Sequence, residues 1–181
     1  SVQQSLRAAI IGVIGTVIFM LLVYRGLGVV AALALSIYGI LVAGGLMGMG
    51  AVLTLPGIAG LVLSVGMAVD GNVLIFERAK EEYKNTGNVY ASIRKGYERA
   101  MTAIIDSNLT TVLAAVILFF LSTGAVRGFA VTLGMGTLAS FLTAVTASRI
   151  LTYILAGIGL DQRPEVLGLA TRFKTTNWNV V

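Results

Sequence analysis

The chain has 181 residues, of which 57% are hydrophobic and 12% charged, with 13 Lys and Arg against 8 Asp and Glu and a net charge of +5. A soluble domain carries roughly twice that share of charge, so a mean hydropathy of +0.92 excludes a single water-soluble core and places the chain in lipid. The absence of Cys and His excludes thiol and disulfide chemistry, His-centred catalysis and the usual zinc sites, and the basic residues fall beside apolar runs, which argues against nucleic acid.

Five spanning helices are expected in an all-α membrane protein. The first is Ala8–Tyr24, ended at Arg25-Gly26, and the second is Gly28–Met49, with Gly44 and Gly48 in a GxxxG pair. A link leads to Pro56, suited to a first helical turn, and the third span is Pro56–Phe76. Glu77–Lys84 extends that helix into water, Asn85-Thr86-Gly87-Asn88 forms the turn, and Val89, Ile93, Tyr97 and Ala100 recur at the spacing of an amphipathic interfacial helix. The fourth span is Met101–Leu121 and the fifth Phe129–Leu151. Residues 1–155 thus form a transmembrane domain, 77–100 a cytoplasmic amphipathic segment and 156–181 a cytoplasmic tail or linker, in which Pro164–Phe173 is weakly amphipathic.

Lys and Arg set the orientation. Arg25, the cluster from Arg78 to Arg99, Arg149, Arg163, Arg172 and Lys174 share one side, and only Arg7 and Arg127 face the other. Basic loops stay in the cytoplasm, so the N-terminus is expected outside and the tail inside. The chain starts at Ser1, not Met, and an N-out start implies a preceding span and an exported domain upstream.

Asp70 is the acid that stands deepest in an apolar run, nearly two turns from Glu77. An acid at the bilayer centre costs about 2.5–3.5 kcal/mol on insertion scales, and such residues mark proton relays, ion paths or substrate contacts. Its other reading is a structural carboxylate paired across helices. No Lys or Arg lies at that depth here, so a permanent cationic partner would come from elsewhere. Gly57, Gly60, Ser64, Ala68 and Gly71 form a small-residue stripe read as helix packing. Asp106 is either a helix cap or the mouth of a polar path towards Asp70. Asn72, Asn108, Thr110 and Thr111 are candidates to line or support that path, with Asn108 expected to find its partner on the Asp70 helix. Thr132, Thr137, Ser140, Thr143 and Thr146 are read as mostly backbone-bonded hydroxyls.

The run Leu55-Pro56-Gly57-Ile58-Ala59-Gly60, the run Gly66-Met67-Ala68-Val69-Asp70-Gly71-Asn72 through Arg78, and the stretches Asp106–Thr111 and Gly128–Leu133 resemble, in order, the motifs of the SecD family. The resemblance covers about Ser5 to Leu155, with Gly71 where the family commonly has Ala. It implies one part of a pseudo-symmetric twelve-span bundle of the resistance-nodulation-division superfamily, in the inner membrane. It further implies a proton-driven motor that promotes polypeptide export beside the SecYEG translocon, no catalysis, and no cofactor beyond protons as coupling ion. Asp70 would be the proton-responsive acid, its partner supplied by a separate or fused SecF-like half, and the exported polypeptide would meet a periplasmic domain upstream. The tail from Arg172 to Asn179 resembles the lead into a fused SecF half. Three other readings stand beside it: a structural or assembly subunit, an intramembrane aspartyl protease using Asp70 and Asp106, and a small-molecule or lipid exporter of the same superfamily. Against the protease, Asp70 follows Met67-Ala68-Val69, not the GxGD pattern.

Overall fold

A computed structural model describes residues 2–50, 54–158 and 164–169. Five helical stretches are long and apolar enough to cross a membrane: Gln3–Tyr24, Gly26–Gly48, Leu55–Thr86, Val89–Leu121 and Ala125–Gly157. The chain is a multi-pass membrane protein. Exposure agrees, since Ile11, Leu22 and Ile40 are 69%, 75% and 72% exposed, a surface that lipid tolerates and water does not.

Helix α1 (Val2–Tyr24) lies at the periphery and turns into α2 (Gly26–Gly48) at Arg25, whose φ is 48°. Helix α3 (Leu55–Thr86) begins with Thr54, whose hydroxyl oxygen accepts from the Gly57 N–H at 3.2 Å, and Pro56 sits in the first turn, where a missing N–H leaves nothing unsatisfied. Its 32 residues reach roughly 48 Å at the α-helical rise, well beyond the ~30 Å hydrocarbon layer, so one end projects. Gly87, at φ 65°, stops α3 in the left-handed conformation that suits glycine. Asn88 then starts α4 (Val89–Leu121), its side-chain oxygen accepting from the Ala91 N–H at 3.0 Å.

Helix α4 corrects two expectations. The segment expected to lie in the membrane interface and the fourth span are one unbroken helix. Val89, Ile93, Tyr97 and Ala100 bury their apolar face within the protein, where Gly96 lies against the backbone of Ala79 on α3. Glu82 of α3, 2% exposed, ion-pairs with Arg99 and, at 3.8 Å, with Lys95 of α4, closing the hairpin at its basic end.

The last span comprises α5 (Ala125–Leu142), a π-helical turn at Thr143–Ser148, and α6 (Arg149–Gly157). Helix α5 packs most extensively against α3. Gly57, Gly60, Ser64 and Ala68 are buried, with Gly57 and Gly60 facing Thr132 and Ser64 facing Gly136, so the small-residue stripe is the α3–α5 contact. Gly44 and Gly48 instead look onto open space, and that GxxxG pair joins no helices among the described residues. A short helix α7 (Pro164–Leu167) seats the buried Leu167 and Leu169 in the core near Tyr24 and Phe76. The Lys174–Asn179 segment lies outside the described residues.

Candidate functional site

Asp70 lies in the middle of α3 and is exposed on the outer face of the bundle. Packing makes this so. The neighbouring Ala68 and Asn72 are buried, and Asp70 is turned about 160–200° from each of them on a helix of 3.6 residues per turn. Among the described residues no hydrogen bond or ion pair holds its carboxylate. Asp70, Gly71 and Leu74 of α3 and Ser107, Asn108 and Thr111 of α4 line a groove of about 200 Å³ between the two helices.

The α4 side of the groove is polar but self-satisfied. Ser107 Oγ donates to the Ile104 carbonyl at 3.1 Å, and Thr111 Oγ1 to the Ser107 carbonyl at 2.9 Å. Asn108 Nδ2 donates to the Ile104 carbonyl at 2.7 Å, so its partner is its own helix and not the Asp70 helix. Thr110 Oγ1 likewise donates to the Asp106 carbonyl at 2.8 Å. Asp106 caps nothing: Asn88 caps α4, five turns earlier by the helical repeat. Asp106 precedes the groove residue Ser107, so it stands at the depth of Asp70. It is exposed and does not line the groove.

Asn72 is not with Asp70. It is 4% exposed and faces the last span, where Ser148 Oγ donates to Asn72 Oδ1 at 2.6 Å and Asn72 Nδ2 donates to the Ala68 carbonyl at 3.3 Å. Ser148 closes the π-helical turn, a local irregularity found often at functional sites. Nothing in the sequence marks this turn, and its pairing with Asn72 is a tertiary contact 76 positions apart. A second buried contact that the sequence does not mark is the hydrogen bond between Tyr38 and Ser64, at 2.6 Å. Of the hydroxyls on the last span, those of Thr132, Thr137 and Thr143 donate to carbonyls three or four residues back.

The family model described as protein export membrane protein SecD/SecF, C-terminal, matches residues 1–156. Protein translocase subunit SecD of Acidaminococcus fermentans is 48% identical over 166 residues, covering 92% of this chain and 40% of that protein. SecD of Dictyoglomus turgidum is 48% identical over 170 residues, covering 93% of this chain and 43% of that protein. A crystal structure of SecDF, a translocon-associated membrane protein from Thermus thermophilus, superimposes with a TM-score of 0.84 at 44% identity, over 88% of this chain and 22% of that one. The chain thus spans less than half the length of these relatives.

Proposed function

We propose, from the premise that this chain belongs to the SecD/SecF family of protein-export membrane proteins, that it is the membrane part of an auxiliary subunit of the Sec translocon, which uses the proton-motive force to promote export of polypeptides across the inner membrane. The observation that carries this reading is Asp70, exposed at mid-helix in a groove and unpaired among the described residues. A carboxylate facing hydrocarbon is costly, so this face is suited to burial against further helices, those of a SecF-like half in a twelve-span bundle. A carboxyl there can be charged when a cation approaches and neutral when it withdraws. Proton binding then biases one helix arrangement over another by the proton's differential affinity for the two. Within the described residues Asp70 ties no helices together, which weighs against the structural reading.

The basic end, with Arg78, Arg94, Lys95 and Arg99, faces the cytoplasm in this proposal. The native chain has no Cys, so single cysteines at Asn85 and Thr123 report topology cleanly. Position 85 is expected to react with an impermeant thiol reagent only from the cytoplasmic side, and position 123 only from outside. Reaction of position 85 from outside would overturn the orientation. Position 162, a third informative site, lies outside the described residues.

The function itself is tested with full-length protein and its SecF-like partner in vesicles carrying SecYEG. Collapsing the proton gradient with a protonophore, with a sodium gradient held, is expected to remove the stimulation of export. Stimulation that survives the protonophore and disappears with a sodium ionophore would reassign the coupling ion.

A further inference from the structure

A second groove, of about 460 Å³, lies at the basic end of α3, beside the docked tail. Its walls are charged, with Glu77, Arg78, Lys80 and Glu81, and Leu74 and Leu169 form its apolar part. The two grooves share one lining residue, Leu74. On a helix, residues 70, 74 and 77 or 78 stack on one face at i+4 and i+3 or i+4 spacing. Leu74 therefore stands one turn from Asp70 and one turn from the first charged pair, Glu77 and Lys80, whose oxygen and nitrogen are 3.0 Å apart. Its side chain is partly buried and packs against the core cluster that includes Ile75, Phe76, Ile93 and Ile104.

We infer that Leu74 is the apolar barrier between the Asp70 groove and the charged groove at the basic end, and that protons leave Asp70 towards the cytoplasm only when this side chain moves aside. The inference rests on the proton-carrying reading of Asp70 above. Its physical basis is dewetting: a narrow apolar constriction breaks a chain of water molecules, and with it the path for a proton. The step it controls is simple. The O–H proton of the Asp70 carboxylic acid passes to a water that has reached it past position 74, leaving the carboxylate, and the proton continues to bulk water along the charged wall.

The test uses full-length protein with its partner half, in sealed vesicles of known orientation, in a background cleared of other cysteines. Ser107→Cys, inside the Asp70 groove, reports water access, and Glu81→Cys, on the charged side of the barrier, serves as control. An impermeant thiol reagent added on the basic side is expected to modify position 81 readily and position 107 slowly. Leu74→Ala is expected to speed modification at 107 several-fold, with position 81 unchanged, and to raise passive proton leak. Leu74→Met, which keeps the apolar volume, is expected to behave as Leu. Leu74→Val, a smaller truncation, replaces Ala if that variant does not assemble, with an intermediate gain. Unchanged labelling at 107 in both truncations overturns the barrier. The two failures are distinguishable. Unchanged labelling, together with a lost gradient response in Asp70→Asn, overturns the barrier alone. A retained gradient response in Asp70→Asn overturns the proton reading, and the barrier's role with it.

Discussion

Full-length protein carrying Asp70→Asn is expected to insert and assemble normally and to lose the response of export to the proton gradient. Asn keeps the size and hydrogen-bonding capacity of Asp but has no titratable proton. Because Asp70 is exposed and holds no partner among the described residues, the substitution removes no contact within the bundle. Stability of this part is then expected to change by no more than about 0.5 kcal/mol, as for surface positions generally. Coupling is different. A proton shifts a conformational equilibrium only through its different affinity for the two states, and a group that binds no proton supplies none of that difference. Asp106→Asn is expected to be milder, because Asp106 stands at the same depth but does not line the groove. Export from vesicles with and without a gradient, measured for both variants, decides the matter. An unchanged gradient response in Asp70→Asn would return Asp70 to a structural role.

How much of this was legible in the sequence depends on whether the signal was local. The five apolar stretches were legible because length and composition alone require them. The stripe from Gly57 to Ala68 was legible because its small residues recur over several turns and α5 makes the close approach they allow, whereas the Gly44 and Gly48 pair has the same spacing and meets open space. Asp70 was conspicuous by its cost. The errors arose where the partner decides. Val89 to Ala100 has the pattern of a helix lying on a membrane, and only the presence of Ala79 and Glu82 on α3 turns it into the second arm of a hairpin. Asp106 resembled a cap because the apolar span begins near it, but a helix starts where its N–H groups are first satisfied, and Asn88 does that. Asn108 was expected to reach across to α3, yet a carbonyl four residues back on its own helix was nearer. The π-helical turn has no mark in the sequence, since Thr, Ala and Val are ordinary helix residues in lipid. What accompanies it is a tertiary hydrogen bond, from Ser148 to Asn72.

Gly136→Val is expected to be strongly destabilising, with Gly66→Val as its near-neutral control. A Cβ added at Gly136 would overlap the Oγ and Cβ of Ser64, and it would lie 3.1 Å from the Tyr38 hydroxyl. Neither neighbour can yield cheaply. Ser64 is fully buried, its hydroxyl donates to the Leu61 carbonyl at 2.9 Å, and it is hydrogen-bonded to Tyr38 at 2.6 Å. Overpacking of this kind costs about 1–3 kcal/mol, and leaving a buried hydroxyl without its partner costs about 1–3 kcal/mol more. A total loss of about 2–6 kcal/mol is expected, enough to unfold a large fraction of a marginally stable protein. Gly66, on the same helix as Ser64, has nothing within 4 Å of its added Cβ, so the same chemical change there meets no neighbour. Valine keeps both helices apolar, and any difference between the two variants reports packing and not insertion. Thermal or detergent unfolding of the two purified variants, followed by circular dichroism, measures that difference. If Gly136→Val melts with the wild type, α3 and α5 do not approach as closely as described, and Asp70, carried on α3, is not held where its groove with α4 requires.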